Sequence, residues 1–317
     1  MASPPRFPLF DAPSPLHALP RFSATLGGRV EVWTKREDLL PLAFGGNKLR
    51  NLEFLVGAAL ADGCDTLVTS GRRWSNHARL TAAAGARAGL DVHLVLSGPQ
   101  VDPHGPGIRM ARSYGATVHL LDGADRDERE AAVARVAREV TAGGGRPYVI
   151  GVGGSGAVGA YGQLLAAREL VAQAAEGGLT IDRVVLATAT GGTQAGLRAG
   201  LPSSIAVTGV VVARSAAELR SSIAAAVAEL GGAVDAAIEL DETHIGEGYG
   251  RPTVEAAEAA AILARTEAIL VDPIYTAKAL AGLVAGVRSG AWDGERVVFW
   301  HSGGLPGLFE PLAQERE

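Results

Sequence analysis

The sequence predicts an α/β protein in which a mostly parallel set of strands is covered by helices. Three observations carry that prediction. Strand-like and helix-like segments alternate along most of the chain, the pattern of βαβ units. Of the 317 residues 47% are apolar but only 5% are aromatic, so a sizeable core must be built from Ala, Val, Leu and Ile. The chain has 42 glycines, well above the usual share of about 7%, placed in doublets and triplets after short apolar runs. That placement predicts tight backbone loops at strand ends, and the lack of a three-residue period excludes a collagen-like chain. The length allows one or two domains.

The elements follow in order. A helix is expected over Leu49–Ala61 and a strand over Thr66–Thr69. An Ala-rich helix is expected over Asn76–Leu90, followed by strand Val92–Leu96, helix Gly107–Tyr114 and strand Thr117–Leu121. The charged helix Asp127–Ala142 should stop at Gly143-Gly144-Gly145, ahead of strand Tyr148–Ile150. The alternation then repeats, with helix Gly159–Glu176, the apolar strand Arg183–Thr188, and a short helix Gln194–Gly200 halted by Pro202. Strand Val207–Ala213, helix Ala216–Leu230, helix Val254–Arg265 and a short strand Ile269–Val271 come next. Asp272 fits an N-cap and Pro273 a first helical position for a helix to Arg288, and Arg296–Trp300 reads as the last strand.

The formal net charge of −5 and the absence of a basic stripe exclude nucleic-acid binding as the expected role. The arginines are spread along the chain and read as a solvated surface. Cys64 is the single cysteine, which excludes an intrachain disulfide and fits a reducing compartment; it reads as a half-buried residue in a helix-to-strand turn. The Pro-rich start from Met1 to Pro20 lacks the apolar stretch of a secretory signal. No uncharged apolar run approaches the roughly 18 residues of a membrane span. A cytoplasmic protein without membrane contact is therefore expected.

Ligands of such sheets sit at the carboxyl ends of strands, so unusual residues there are informative. Lys48 follows Gly45-Gly46-Asn47 and opens a helix, where a cation is unfavourable to the helix dipole. It reads either as a solvated surface lysine or as one with a lowered pKa, able to form a Schiff base. Ala189-Thr190-Gly191-Gly192-Thr193, after a buried strand and before a helix, fits a phosphate cup but lacks the nucleoside-triphosphate pattern. Ser75-Asn76-His77 opens the Ala-rich helix and either caps it or binds a small carboxylate. Tyr249 and Tyr275 lie in Gly/Pro turns, and His301-Ser302-Gly303-Gly304 ends the last strand. Gly151-Val152-Gly153-Gly154-Ser155-Gly156 matches a dinucleotide fingerprint in form, but the next strand ends in Ala189-Thr190 with no acid, which argues against a nicotinamide or flavin site.

Taken together, in order and over Pro15 to Leu308, these motifs resemble the pyridoxal-phosphate enzymes of the D-cysteine desulfhydrase and 1-aminocyclopropane-1-carboxylate deaminase family. The resemblance implies a two-domain fold like the β subunit of tryptophan synthase (fold type II), with a small domain at 52–161 and a cofactor domain from 1–51 and 162–317. It implies that Lys48 carries pyridoxal 5'-phosphate as a Schiff base and that Ala189, Thr190, Gly191, Gly192 and Thr193 hold the phosphate. Asn76 is assigned to the ring hydroxyl, Thr276 and Ser302 to the cofactor ring, and Ser75 with His77 to the substrate carboxylate. Trp74, Asn76, Tyr249 and Tyr275 are expected at the substrate, with Lys48, Tyr249 and Tyr275 catalytic.

The implied reaction is α,β-elimination on a small amino acid, with an aminoacrylate hydrolysing to a 2-oxo acid and ammonia, and D-cysteine giving sulfide as well. Deamination of 1-aminocyclopropane-1-carboxylate and β-replacement are the alternatives, and a homodimer is expected. The deaminases have Glu where this chain has Thr276, and Leu where it has Ser302; both differences point to the desulfhydrase side. Arg72-Arg73-Trp74 stands where the family usually has a Gln, which predicts a larger or more acidic substrate. Asn51 replaces a frequent lysine and is left with one hydrogen bond to offer the phosphate.

Overall fold

The predicted alternation resolves into two separate sheets. The computed structural model describes residues 3–98, 104–123, 125–232 and 237–310. Ahead of the first expected helix the chain adds strand β1 (Leu16–Ala18), helix α1 (Pro20–Thr25) and strand β2 (Glu31–Arg36). Helix α2 (Lys48–Ala61) leads into strand β3 (Thr66–Arg72), helix α3 (Asn76–Ala88) and strand β4 (Asp91–Gly98). Helix α4 (Pro106–Ser113), strand β5 (Thr117–Asp122), helix α5 (Arg126–Ala142) and strand β6 (Pro147–Ile150) complete a four-stranded parallel sheet in the order β5-β4-β3-β6.

Helix α6 (Ala157–Glu176), strand β7 (Arg183–Thr188), helix α7 (Gly192–Gly200), strand β8 (Ala206–Val211) and helix α8 (Ala216–Glu229) then follow. Strand β9 (Glu239–Asp241), helices α9 (Val254–Glu267) and α10 (Thr276–Arg288) and strand β10 (Arg296–His301) come next, and a short 3-10 helix at Leu305–Phe309 follows them. The second sheet has the order β1-β2-β10-β7-β8-β9 and is parallel except for β1. Its inner strands are buried on both faces, as helices on both sides require. The four-stranded sheet lies wholly inside 52–161, while both expected domain boundaries fall within helices, at α2 and α6.

Two expected elements differ. Ile269–Val271 is not a strand: Ile269 and Val271 are buried and Leu270 is exposed, but no ladder forms. The flanks of β8 and β10 are already taken by β7, β9 and β2, and the Leu270 carbonyl instead accepts from His301 Nε2 at 2.8 Å. The edge place goes to the polar β9, which carries no apolar run to reveal it. The helix expected from Pro273 begins at Thr276. The Asp272 carboxylate accepts from the backbone N–H groups of Ile274, Tyr275 and Thr276 at 2.9, 2.8 and 3.1 Å. Asp272 is a cap as expected, but of a separate turn that carries Tyr275 ahead of the helix.

Helices α2, α6 and α7 pack backbone to backbone. A Cβ on Gly162 would lie 1.9 Å from the Arg50 carbonyl oxygen, and one on Gly196 would lie 2.4 Å from that of Ala160. A buried network locks α2 and α6 to β2 and the turn after it. Arg50 pairs with Glu37 at 2.6 Å and Glu169 at 2.8 Å, and Lys35 pairs with Glu169 at 2.5 Å. The two cations and two carboxylates balance, which is what makes their burial tolerable. No helix among the described residues is long and apolar enough to cross a membrane.

Candidate active site

A cavity of about 410 Å³ opens between the two sheets at the carboxyl ends of β3, β7 and β10. Lys48, Ser75, Asn76, His77, Ala189, Thr190, Gly191, Thr193, Tyr249, Tyr275 and Ser302 all line it. Residues from both sheets and from loops far apart in sequence thus meet in one place, as ligand sites of open parallel sheets do.

The chain contains Lys35, Lys48 and Lys278 and no other lysine. Lys35 and Lys278 are fully buried away from the cavity. Lys35 donates to Glu169, Gln173 and the Ser14 carbonyl; Lys278 donates to the carbonyls of Ile245 and Gly248. Lys48 alone faces the cavity, where its Nζ donates to the Gly153 carbonyl at 3.0 Å. Among the described residues it has no carboxylate partner. Loss of solvation lowers its pKa to about 8, so a usable share of free amine exists near neutral pH. The Gly151–Gly156 segment, which resembled a dinucleotide loop, therefore belongs to the lysine's surroundings.

The loop after β7 ends at Gly191, whose φ of +85° suits glycine, and α7 starts at once. Its first-turn N–H groups have no intrahelical acceptors and open on the cavity with Thr190 and Thr193. Asn47 ties this loop to the lysine, donating from Nδ2 to Thr193 Oγ1 at 2.8 Å. Gln163 donates to the Asn47 carbonyl at 2.7 Å and to Asn51 Oδ1 at 2.6 Å. Asn47 entered the sequence reading only as part of the turn before Lys48, and Gln163 did not stand out, because a single amide on a helix has no distinguishing spacing.

At the start of α3, Ser75 Oγ accepts from the Ala78 N–H at 3.2 Å, which leaves its own hydrogen for the cavity. Asn76 Oδ1 accepts from Arg79 at 3.2 Å, which leaves its amide hydrogens. His77 is buried, and burial followed by the charge of Lys48 lowers its pKa to about 3, so it is neutral. Thr69 gives its only hydrogen to the Ile150 carbonyl at 2.8 Å, so the contact of 3.0 Å between Thr69 Oγ1 and His77 Nε2 places the imidazole hydrogen on Nε2. His77 Nδ1 is then a buried acceptor without a partner. It suits an N–H or O–H donor, and a carboxylate is better met by Ser75 and the helix N–H groups.

Tyr249 and Tyr275 share a short hydroxyl-to-hydroxyl hydrogen bond across the cavity wall. Burial raises the pKa of both, well above the ordinary value for Tyr275, so both are neutral phenols. Three predicted residues stand one layer behind the wall. Trp74 packs against the Tyr249 ring with centroids 6.1 Å apart and against Gly250. Gly192 is buried against Ser155, where a Cβ would lie 2.7 Å from the Ser155 Cα. Thr276 donates from Oγ1 to Asp272 Oδ2 at 2.5 Å and accepts from the Asp272 N–H at 2.8 Å, so its one hydrogen is committed. Asn51 likewise donates to the Gly154 carbonyl at 3.0 Å and is buried away from the loop at 189–193. Of the two adjacent arginines only Arg72 reaches the cavity, because Arg73 turns back to Asp122.

A family model described as pyridoxal-phosphate dependent enzyme matches residues 8–303. The chain belongs to the pyridoxal-phosphate-dependent enzyme family. A crystal structure described as an ACC deaminase homologue is similar to it with a TM-score of 0.89 and 35% identity, over 97% of this chain and 94% of that one. A pyridoxal 5'-phosphate-dependent aspartate racemase shares the fold alone, with a TM-score of 0.68 and 16% identity over 94% and 97% of the two chains. The fold is type II of the pyridoxal-phosphate enzymes, and the cofactor of this pyridoxal-phosphate-dependent enzyme is pyridoxal 5'-phosphate. The donor set fits it: one unpaired lysine for the aldehyde, a helix N-terminus with threonine hydroxyls for the phosphate, and amide and hydroxyl donors between them.

Proposed function

We propose that Lys48 binds the cofactor covalently and that the enzyme eliminates a β-substituent from a small amino acid such as D-cysteine, releasing a 2-oxo acid, ammonia and, from cysteine, sulfide. The observation that carries this reading is that Lys48 is the lysine whose nitrogen reaches the cavity, free of any carboxylate among the described residues. Bound pyridoxal phosphate supplies an electron sink for the pair left at Cα. The loop Ala189–Thr193 and the start of α7 hold the phosphate, Asn76 donates to the ring hydroxyl, and Ser302 meets the ring. Ser75 and the first turn of α3 orient the substrate carboxylate. The Lys48 amine, once displaced by the substrate amine, takes the Cα proton. The phenols Tyr249 and Tyr275, both protonated, supply a proton to the departing group.

The likeness to an ACC deaminase homologue favours a second reading, ring-opening deamination of 1-aminocyclopropane-1-carboxylate. β-Replacement by an added nucleophile is a third. A panel of D- and L-amino acids with β-leaving groups, plus the cyclopropane acid, decides among them by the 2-oxo acid released. Pyruvate from D-cysteine is the expected result. Release only from the cyclopropane acid, or conversion only with an added nucleophile, contradicts the elimination reading. The resemblance also supports a cytoplasmic homodimer, checked by sedimentation.

A further inference from the structure

The arginines that look scattered in sequence converge in the fold. Arg72 at the end of β3, Arg126 and Arg129 in the first turn of α5, and Arg214 after β8 all line the cavity that holds Lys48. Among the described residues Arg72 and Arg214 have no side-chain hydrogen bond or ion pair. Arg129 is 8% exposed, donates to Ser97 Oγ at 2.9 Å, and its Nε has no partner. Arg126 alone is paired, with the exposed Glu130 at 2.9 Å. Among the described residues the single carboxylate at the wall is Glu218, which closes the capping box of α8 with Ser215. Burial and then Arg72 lower the pKa of Arg129, and burial and then Arg126 lower that of Arg214. Glu218 and Glu130 act the other way on Arg214, and Tyr249 and Glu130 on Arg129, yet burial leads in both, so an incoming anion offsets their lost solvation.

The two anions already expected have other seats: the cofactor phosphate at the start of α7 and the substrate carboxylate at the start of α3. Arg72 shares the cavity wall with Tyr249 and Tyr275, the two phenols assigned above to the departing group. We propose, resting on the elimination reading above, that the substrate is an amino acid whose β-substituent is itself a tetrahedral oxyanion, a sulfonate or a phosphate ester, held by Arg72, Arg129 and Arg214. The step balances with the bound cofactor as electron sink. The Cα proton passes to the Lys48 amine. The bond from Cβ to sulfur or oxygen breaks with both electrons leaving as sulfite or phosphate. The Lys48 ammonium returns that proton to Cβ, and one water then replaces nitrogen to give the 2-oxo acid and ammonium. A β-carboxylate binds the same arginines but does not depart with the bonding pair.

The test compares kcat/KM of the holoenzyme for 3-sulfoalanine and O-phosphoserine, each as D and L forms, with that for neutral β-chloroalanine and cysteine. One anionic substrate is expected to exceed the neutral ones at least tenfold, and Arg72→Gln or Arg214→Gln to cut that ratio at least tenfold. The unreactive 3-sulfopropanoate, titrated against the holoenzyme by tryptophan fluorescence, is expected to bind at least tenfold more weakly to either variant. An unchanged ratio, or variants that lose cofactor affinity and keep the ratio, overturns the assignment. If no substrate is turned over, the elimination reading fails, and the 3-sulfopropanoate titration still decides the anion site.

Discussion

Tyr249 and Tyr275, carried by two different turns, are joined hydroxyl to hydroxyl, so one phenol's proton is held by the other's oxygen. Burial keeps both protonated at neutral pH, and the pair has the form of a proton donor with its own relay. Removal of either hydroxyl breaks the relay. Tyr249→Phe and Tyr275→Phe are each expected to lower kcat by about 10²–10⁴-fold, with the double variant little worse than the poorer single one. Additive losses in a double-mutant cycle contradict a shared role.

The loop bearing Tyr249 hangs on Lys278. This buried ammonium donates to the carbonyls of Ile245 at 2.7 Å and Gly248 at 3.1 Å. Lys278→Met removes both bonds and strands two carbonyls, at about 1–3 kcal/mol of stability. It should also raise KM, because Tyr249 loses its fixed position. Urea unfolding and steady-state kinetics check this; unchanged values in both remove the positioning role.

The pH dependence of cofactor uptake follows from Lys48. Its pKa is lowered to about 8, so the nucleophilic free amine appears at lower pH than for an ordinary lysine near 10.4. The rate at which apoprotein takes up pyridoxal phosphate covalently should therefore rise through pH 8 and level off above it. A rate still climbing steeply between pH 9 and 10 contradicts the lowered value.

The buried network under α2 is predicted to matter for stability more than any surface pair. Glu37→Gln leaves Arg50 and Lys35 with Glu169 as their remaining carboxylate, in a site with almost no water. Breaking a buried pair from one side costs about 3–5 kcal/mol. Denaturant midpoints measure it, and a loss under about 1 kcal/mol contradicts the network's role.

Much of the site was legible because small-residue loops after apolar runs mark strand ends, and strand ends of parallel sheets share one side. Lys48, Ser75–His77, Ala189–Thr193, the tyrosines and Ser302 all carried that signal. Thr276 did not keep its expected place because Asp272 engages its hydroxyl, a partnership between two polar residues that spacing does not reveal. The arginine cluster was hidden for a related reason. Arg72, Arg129 and Arg214 belong to β3, α5 and the loop after β8, and only the meeting of two sheets brings them together. Strand-end position was the available clue for Arg72 and Arg214. Strand β9 and the first two strands were missed because they are short or polar and owe their conformation to neighbours already in the sheet.

Every role proposed for the cavity depends on Lys48 holding the cofactor. Borohydride reduction of the holoenzyme followed by peptide mass analysis tests it directly. A pyridoxyl group is expected on Lys48 alone, and none in Lys48→Ala. A label on Lys35 or Lys278, or a covalent label that survives in Lys48→Ala, contradicts it.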